Sequence, residues 1–213
     1  MRNQFLLLVG MMMIGFSSFG QFKLGINTSY SSTMSDVEKV ALVDNRGYQV
    51  YDLVYQGQEN FYSVGLTGYA EKGNLYFMPS INFRSTTHNF QIMNFGESAL
   101  EVSQSNTELQ SLHIPITAGF KYNKFRLGVG PDFNIVLDNN ESLSTFDGIT
   151  LNERSINSGF HFELGYDPIP NVRLGLNYEM SFYNITNDYK FGGKELPLNA
   201  SPKMINFSVA LFL

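Results

Sequence analysis

His161 and Glu163 stand two residues apart in a segment that alternates apolar and polar side chains, and Asp132 takes the same polar face of a neighbouring segment. An imidazole flanked by two carboxylates is the raw material of general acid–base chemistry. No Ser or Cys nucleophile is placed beside them, and carboxylate–His pairs recur in structural networks. A hydrogen-bonded polar interior is therefore the first reading and a proton-transfer site the second. The chain contains no Cys, which removes thiolate and disulfide chemistry. His88, His113 and His161 lack metal-ligand spacing. Asp138, Glu141, Asp147 and Glu153 are acidic but do not match a calcium loop, so they read as solvated charges. Gly128-Val129-Gly130 follows a strand period and opens no helix, which excludes a phosphate cradle. The sequence thus offers no catalytic, cofactor-binding or metal-binding residue, and the expectation is a non-enzymatic protein without a cofactor.

The elements that must position these residues are strands. Eight segments alternate with period two: Phe22 to Tyr30, Phe61 to Glu71, Leu75 to about Arg84, Ser111 to Tyr122, Phe125 to Leu137, Ile156 to Asp167, Val172 to Ile185, and one starting near Lys203. Their lengths suit a tilted crossing of a bilayer, which takes about 9–11 residues. Lys72-Gly73-Asn74, Asn123-Lys124 and Pro168 to Asn171 make tight connections, whereas 31–60, 85–110, 138–155 and 186–202 are long. Short periplasmic turns and long extracellular loops are the outer-membrane pattern.

On every segment one face is bulky and apolar and the other is Gly, Ser, Asn and charge. So many Phe, Tyr and Leu side chains would overfill an eight-stranded interior, which is only wide enough for side chains. Turned outward they cover a lipid-facing band. Phe22, Phe77, Tyr122, Phe125 and Tyr166 then form a periplasmic aromatic girdle, and Tyr30, Tyr62 and Phe182 an extracellular one. The last segment ends at Leu213, as a closing strand that pairs with the first requires. The expected fold is all-β: a transmembrane up-and-down antiparallel barrel of eight strands with long extracellular loops. A hairpin flanking Asp44-Asn45-Arg46-Gly47 in the first long loop leaves ten strands as the alternative. The segments 86–93 and 99–110 should extend the third and fourth strands beyond the membrane. Pro79, Pro115 and Pro131 fall inside strands and remove ladder donors, so a bulge or an unpaired carbonyl is expected opposite each.

Arg2, an apolar stretch from Phe5 to Phe16 and the small residues Ser17, Ser18 and Gly20 have the order of a secretory signal peptide, with cleavage near Gly20/Gln21. The expected domains are the signal at 1–20 and the barrel at 21–213, and the expected location is the outer membrane of a Gram-negative cell. The net charge is −5 and Lys/Arg are not clustered, so nucleic acid is not an expected partner. Five cations (Lys23, Arg84, Lys121, Arg126, Arg173) and five anions (Glu71, Asp132, Glu163, Asp167, Glu179) face inward, which predicts a lumen filled with ion pairs. The expected partners are outer-membrane lipid and other envelope or secretion proteins, met through loops 31–60 and 85–110. The second loop carries Phe90, Ile92, Met93 and Phe95, apolar residues that would need a cover. A small porin-like channel is the alternative role.

Leu112-His113-Ile114-Pro115-Ile116, followed by Phe125-Arg126-Leu127-Gly128-Val129-Gly130-Pro131, resembles the small outer-membrane barrels grouped as the PorT-like family. So do Phe160-His161-Phe162-Glu163-Leu164-Gly165-Tyr166 and Val172-Arg173-Leu174-Gly175-Leu176-Asn177-Tyr178. The resemblance runs over nearly the whole chain after Gly20 and implies a barrel fold. Some members of that family take part in protein export across the outer membrane, so it also implies a role in the envelope. Where the family often has a Pro-Glu pair in its third strand, this chain has Pro79-Ser80.

Overall fold

The computed structural model describes residues 21–34, 38–43, 48–95, 100–140, 149–151, 156–182, 189–191, 194–195 and 203–213. The proposed signal segment lies outside these residues, as do Glu141, Asp147, Glu153 and the predicted end of the seventh strand at Ile185.

Eight long strands form the wall: β1 (Gln21–Thr33), β4 (Phe61–Lys72), β5 (Leu75–Phe95), β6 (Leu100–Tyr122), β7 (Phe125–Asn140), β9 (Ile156–Ile169), β10 (Val172–Ser181) and β13 (Lys203–Phe212). The wall runs β5-β4-β1-β13-β10-β9-β7-β6 and closes by pairing β6 with β5. First and last strands meet over nine pairs, from Gly25↔Phe212 to Thr33↔Met204. The N–H of Leu213 adds a bond to the Leu24 carbonyl at 2.9 Å. Closure leaves no open edge in the wall, which is the condition for spanning hydrocarbon with strands. Gly73 (φ 62°) and Asn123 (φ 54°) turn two of the short connections in the left-handed region.

The first-loop hairpin is present as β2 (Glu38–Val43) and β3 (Gln49–Gln58). It does not widen the barrel to ten strands. β4 accompanies β5 up to Ser63↔Arg84, and β3 takes over the same edge of β5 from Gln58↔His88 to Tyr51↔Asn94. β3 and β4 are thus successive halves of one wall position, and the β3–β5 ladder shifts register at Tyr55/Gly57, where Gly57 adopts φ 111°. β2 pairs only with β3 among the described residues. β5 and β6 remain paired out to Phe95↔Leu100, as expected for strands that extend past the membrane. At 21 and 23 residues they are about twice as long as a bilayer crossing needs. A small separate sheet orders β12 (Lys194–Glu195), β11 (Tyr189–Phe191) and β8 (Ile149–Leu151) from the two other long connections. Segments this short leave no period to read in the sequence.

Leu24, Ile26, Val64, Leu66, Ile81, Phe120, Leu127, Leu164 and Leu211 are exposed on the outside. The predicted girdle residues Phe22, Tyr122, Phe125 and Tyr166 are exposed near one rim, and Tyr30, Tyr62 and Phe182 near the other. Phe125 packs on Tyr166 with ring centroids 5.2 Å apart, and Tyr30 on Tyr62 at 5.0 Å. The inward face is polar: Arg84, His113, Thr117, Arg126, His161, Glu163, Arg173, Glu179 and Asn206 are all buried.

The prolines interrupt the ladder without a bulge. The β4–β5 pairing skips two rows opposite Met78 and Pro79, then resumes in the same register from Thr67↔Ser80. The β5–β6 ladder skips at Pro115 and the β6–β7 ladder at Pro131 in the same way. An antiparallel strand keeps its other edge when one N–H is missing, so the sheet continues and only the facing carbonyl loses its donor. At Pro79 the facing residue is Gly68. The Thr67 hydroxyl lies 3.4 Å from the Gly68 carbonyl and 3.3 Å from that of Pro79, and it accepts from the Ser80 hydroxyl at 2.8 Å.

Candidate functional site

The barrel interior is built in layers. At the short-turn end, Tyr69, Tyr76 and Phe212 form an aromatic collar. Tyr69 lies 5.9 Å from each of the other two rings. The Arg173 guanidinium is inserted between Tyr69 (3.4 Å to the centroid) and Phe212 (4.3 Å). Above the collar, Arg126 of β7 donates to Glu163 at 2.5 Å and to Asp167 at 2.8 Å, both on β9, and lies 5.4 Å from the Tyr76 ring. Further up, Arg84 of β5 donates to Glu179 of β10 at 2.8 Å, with His113 3.8 Å from the same carboxylate. These charges are buried, and each pair supplies the partner that a low-dielectric interior demands.

The predicted acid–base group is only partly assembled. His161 Nδ1 lies 3.8 Å from Asp132, while Glu163 is turned away into its bond with Arg126. His161 Nε2 instead meets the Thr117 hydroxyl at 2.9 Å. Thr117 sits 44 residues before His161 on a non-adjacent strand, and only the stagger of the closed barrel brings them together. Hydroxyl, imidazole and carboxylate in line have the order of a hydrolytic triad. The adjoining cavity is about 50 Å³, which has room for water and none for an acyl substrate. Among the described residues no group of three or more His, Asp or Glu is arranged to hold a metal ion.

Of the ten inward charges, eight are engaged with opposite charges as expected: Arg84, Lys121, Arg126 and Arg173 with Glu71, Glu163, Asp167 and Glu179. Lys23 and Asp132 meet no Asp/Glu or Lys/Arg partner among the described residues. Lys23 reaches the Pro170 carbonyl at 3.3 Å and the Asn171 side chain at 3.4 Å, whereas Asp132 faces His161.

Beyond the bilayer the inward face turns apolar. Leu42, Leu53, Tyr55, Phe90 and Ile92 are each at most 3% exposed, and Phe61 lies beneath them. The register explains this: Tyr55↔Phe90 and Leu53↔Ile92 are directly opposed pairs, and Tyr55 and Phe90 stand 5.3 Å apart. The cover that Phe90 and Ile92 were expected to need is supplied from within the chain, by β3. Met93 stays half-buried on the opposite face, and the Phe95 side chain lies outside the described residues. His88 sits at the base of this block, with Nδ1 3.2 Å from the Tyr55 hydroxyl. Burial pushes its pKa down to about 4. On the outer face of β3, Asp52 is buried and held by Lys39 of β2 at 2.6 Å and by the Gln49 amide at 2.6 Å.

A closed barrel with an apolar outer belt, aromatic rims and a charged interior defines an integral outer-membrane β-barrel protein. Solved structures similar to the chain are of the same kind. Neisserial surface protein A shares 13% identity over 89% of this chain and 96% of its own, with a TM-score of 0.45. The outer membrane protein OprG from Pseudomonas aeruginosa shares 10% over 90% and 92%, at 0.47. Ail, the attachment invasion locus protein of Yersinia pestis, shares 14% over 91% and 99%, at 0.46. The fold itself is defined by the closed ring of strand pairings. No family model matches the sequence, and neither does any curated protein.

Proposed function

We propose that the protein is a non-enzymatic, partner-binding barrel of the PorT-like kind in the outer membrane of a Gram-negative cell, an accessory of envelope assembly or secretion. The observation that carries this reading is the platform β2-β3-β5-β6, which rises past the bilayer on its own apolar core. A loop that only joins two wall strands has no need of four strands and a buried core. The platform also has an asymmetric outline: the outer edge of β2 meets no other described strand, and such an edge can accept an extended segment of a partner. Loops 31–60 and 85–110, the expected contact regions, are the ones that build it. The plugged lumen and the lack of substrate space beside Thr117 and His161 favour this role over a small channel or a hydrolase.

The test is the mass of the protein extracted from outer membranes in mild detergent, compared with a variant lacking residues 88–106. His88 pairs with Thr107, so that deletion shortens the β5–β6 hairpin and leaves the wall intact. The expected result is additional protein mass on the full chain that is lost from the deletion variant, while the variant still migrates as a folded barrel. A full chain that runs alone, or a deletion that keeps its companion, overturns the reading.

A further inference from the structure

We propose that the periplasmic mouth of the barrel is a binding site for a small anionic ligand, a carboxylate or phosphate on a body of about dipeptide size. This inference is independent of the extracellular platform and rests only on the orientation that puts the short turns in the periplasm. A cavity of about 410 Å³ opens among those turns, within the ~300–1,000 Å³ range of small-molecule sites. It is lined by four cations, Lys23, Lys121, Lys124 and Arg173, against two carboxylates, Glu71 and Asp167. In a chain of net charge −5, this mouth carries an excess of two positive charges.

The two carboxylates are already committed. Glu71 accepts from the Tyr69 hydroxyl at 2.7 Å and from Lys121 at 2.9 Å. Asp167 accepts from Arg126 at 2.8 Å and lies 3.5 Å from both Lys121 and Arg173. Lys23 and Lys124 are left with neutral oxygens: the former on Pro170 and Asn171, the latter on the Pro168 carbonyl at 3.1 Å. At the floor, Arg173 is 4% exposed, and its Nη1 has no hydrogen-bond acceptor among the described residues. A buried guanidinium N–H without an acceptor is costly, and an incoming anion would supply one with charge-assisted bonds. Two ammonium groups on long, flexible stems at the rim and one buried guanidinium at the base form a graded positive funnel. The collar of Tyr69 and Phe212 around Arg173 closes the floor, so the ligand stops there and does not pass through.

The probes are inorganic phosphate and N-acetyl-dialanine, each titrated calorimetrically into the refolded full-length barrel in non-ionic detergent. The amide-capped dipeptide, which lacks the charge, is the control. The expected result is one-to-one binding of at least one anionic probe in the millimolar range or tighter, weakening as salt rises, with no heat from the control. Phosphate alone binding assigns the site to a phosphate-bearing ligand, and the dipeptide alone assigns it to a free carboxylate. K23Q/K124Q should lower the affinity by about tenfold with barrel migration unchanged, and K23R/K124R should restore it. Failure of both probes to bind, or equal affinity of the K23Q/K124Q variant, overturns the proposal.

Discussion

Arg84 and Glu179 join opposite walls of the barrel. Four steps separate β5 from β10 in either direction around the ring, yet the guanidinium reaches the carboxylate at 2.8 Å. Both side chains are less than a tenth exposed, and the Arg84 guanidinium also lies 5.4 Å from the Phe61 ring. The pair therefore spans the lumen as a strut, between the acidic and basic cluster below and the apolar block above.

Breaking that strut on one side leaves a buried charge without its counter-charge. Glu179→Gln is expected to destabilise the barrel by about 3 kcal/mol, because Arg84 keeps its desolvation cost and loses its main attraction. Replacing both ends, as in R84M/E179L, should cost less than E179Q alone, since apolar groups of similar volume carry no such cost. Urea unfolding of the refolded protein in lipid vesicles measures both. A double variant no more stable than E179Q would show that the strut acts through shape and not through charge.

A smaller cost is expected at Thr67. Its hydroxyl lies 3.4 Å from the Gly68 carbonyl, which Pro79 cannot serve, and it accepts from Ser80. Thr67→Val should destabilise by about 1–3 kcal/mol, because an acceptor within the membrane loses its donor. Thr67→Ser keeps the hydroxyl and should recover most of the loss. The midpoint of heat-induced migration shift on gels distinguishes the three proteins. Equal midpoints would mean that the Gly68 carbonyl finds its donor elsewhere.

The wall was legible because period-two patterning is a local signal. Each of the eight strands begins within two residues of where the alternation begins, except β6, which starts earlier because it continues past the bilayer. Inward and outward assignment follows from the same alternation, and it held from Lys23 on β1 to Phe212 on β13. What meets across the lumen was not legible. Thr117 with His161 and Arg84 with Glu179 depend on strand tilt and stagger, which inward lists do not contain. At the prolines the unpaired carbonyl, one of the two expected outcomes, is what the ladder shows, while the Thr67 hydroxyl beside the Gly68 carbonyl is a tertiary detail the sequence does not contain. β8, β11 and β12 were missed because two- and three-residue strands have no period.

His88 gives the extracellular platform a pH dependence. Its folded pKa is about 4, below the ordinary value near 6.5, because burial disfavours the imidazolium. Between those values the opened platform binds more protons than the closed one, so stability is full above about pH 6.5 and falls as the pH drops toward 4. The loss is at most about 3 kcal/mol by linkage. Limited proteolysis at pH 7 and pH 5 should show faster cleavage within 38–58 at the lower pH, while the membrane wall stays resistant. His88→Gln keeps a polar partner for Tyr55 without the titration and should flatten the difference. The same acid sensitivity in H88Q would assign it to another group.

The layers of the lumen act in series, and this determines what planar-bilayer recordings should show. Ion passage requires a continuous wet path. Here the collar of Tyr69, Tyr76 and Phe212 with Arg173 between the rings closes the periplasmic end. Arg126 with Glu163, and Arg84 with Glu179, cross the middle. Leu53, Tyr55, Phe90 and Ile92 fill the space beneath the platform. An eight-stranded wall has almost no bore beyond the volume of its own side chains. The native protein is therefore expected to give no resolvable steps. Opening one layer should not change that: Y76A/F212A widens the collar while the struts and apolar block remain, and it too should stay silent. Removal of the platform core as well, by adding the 88–106 deletion, should raise the leak without producing a uniform step size. Clear, uniform steps from the native chain would sink the filled-lumen reading and establish the small channel in its place.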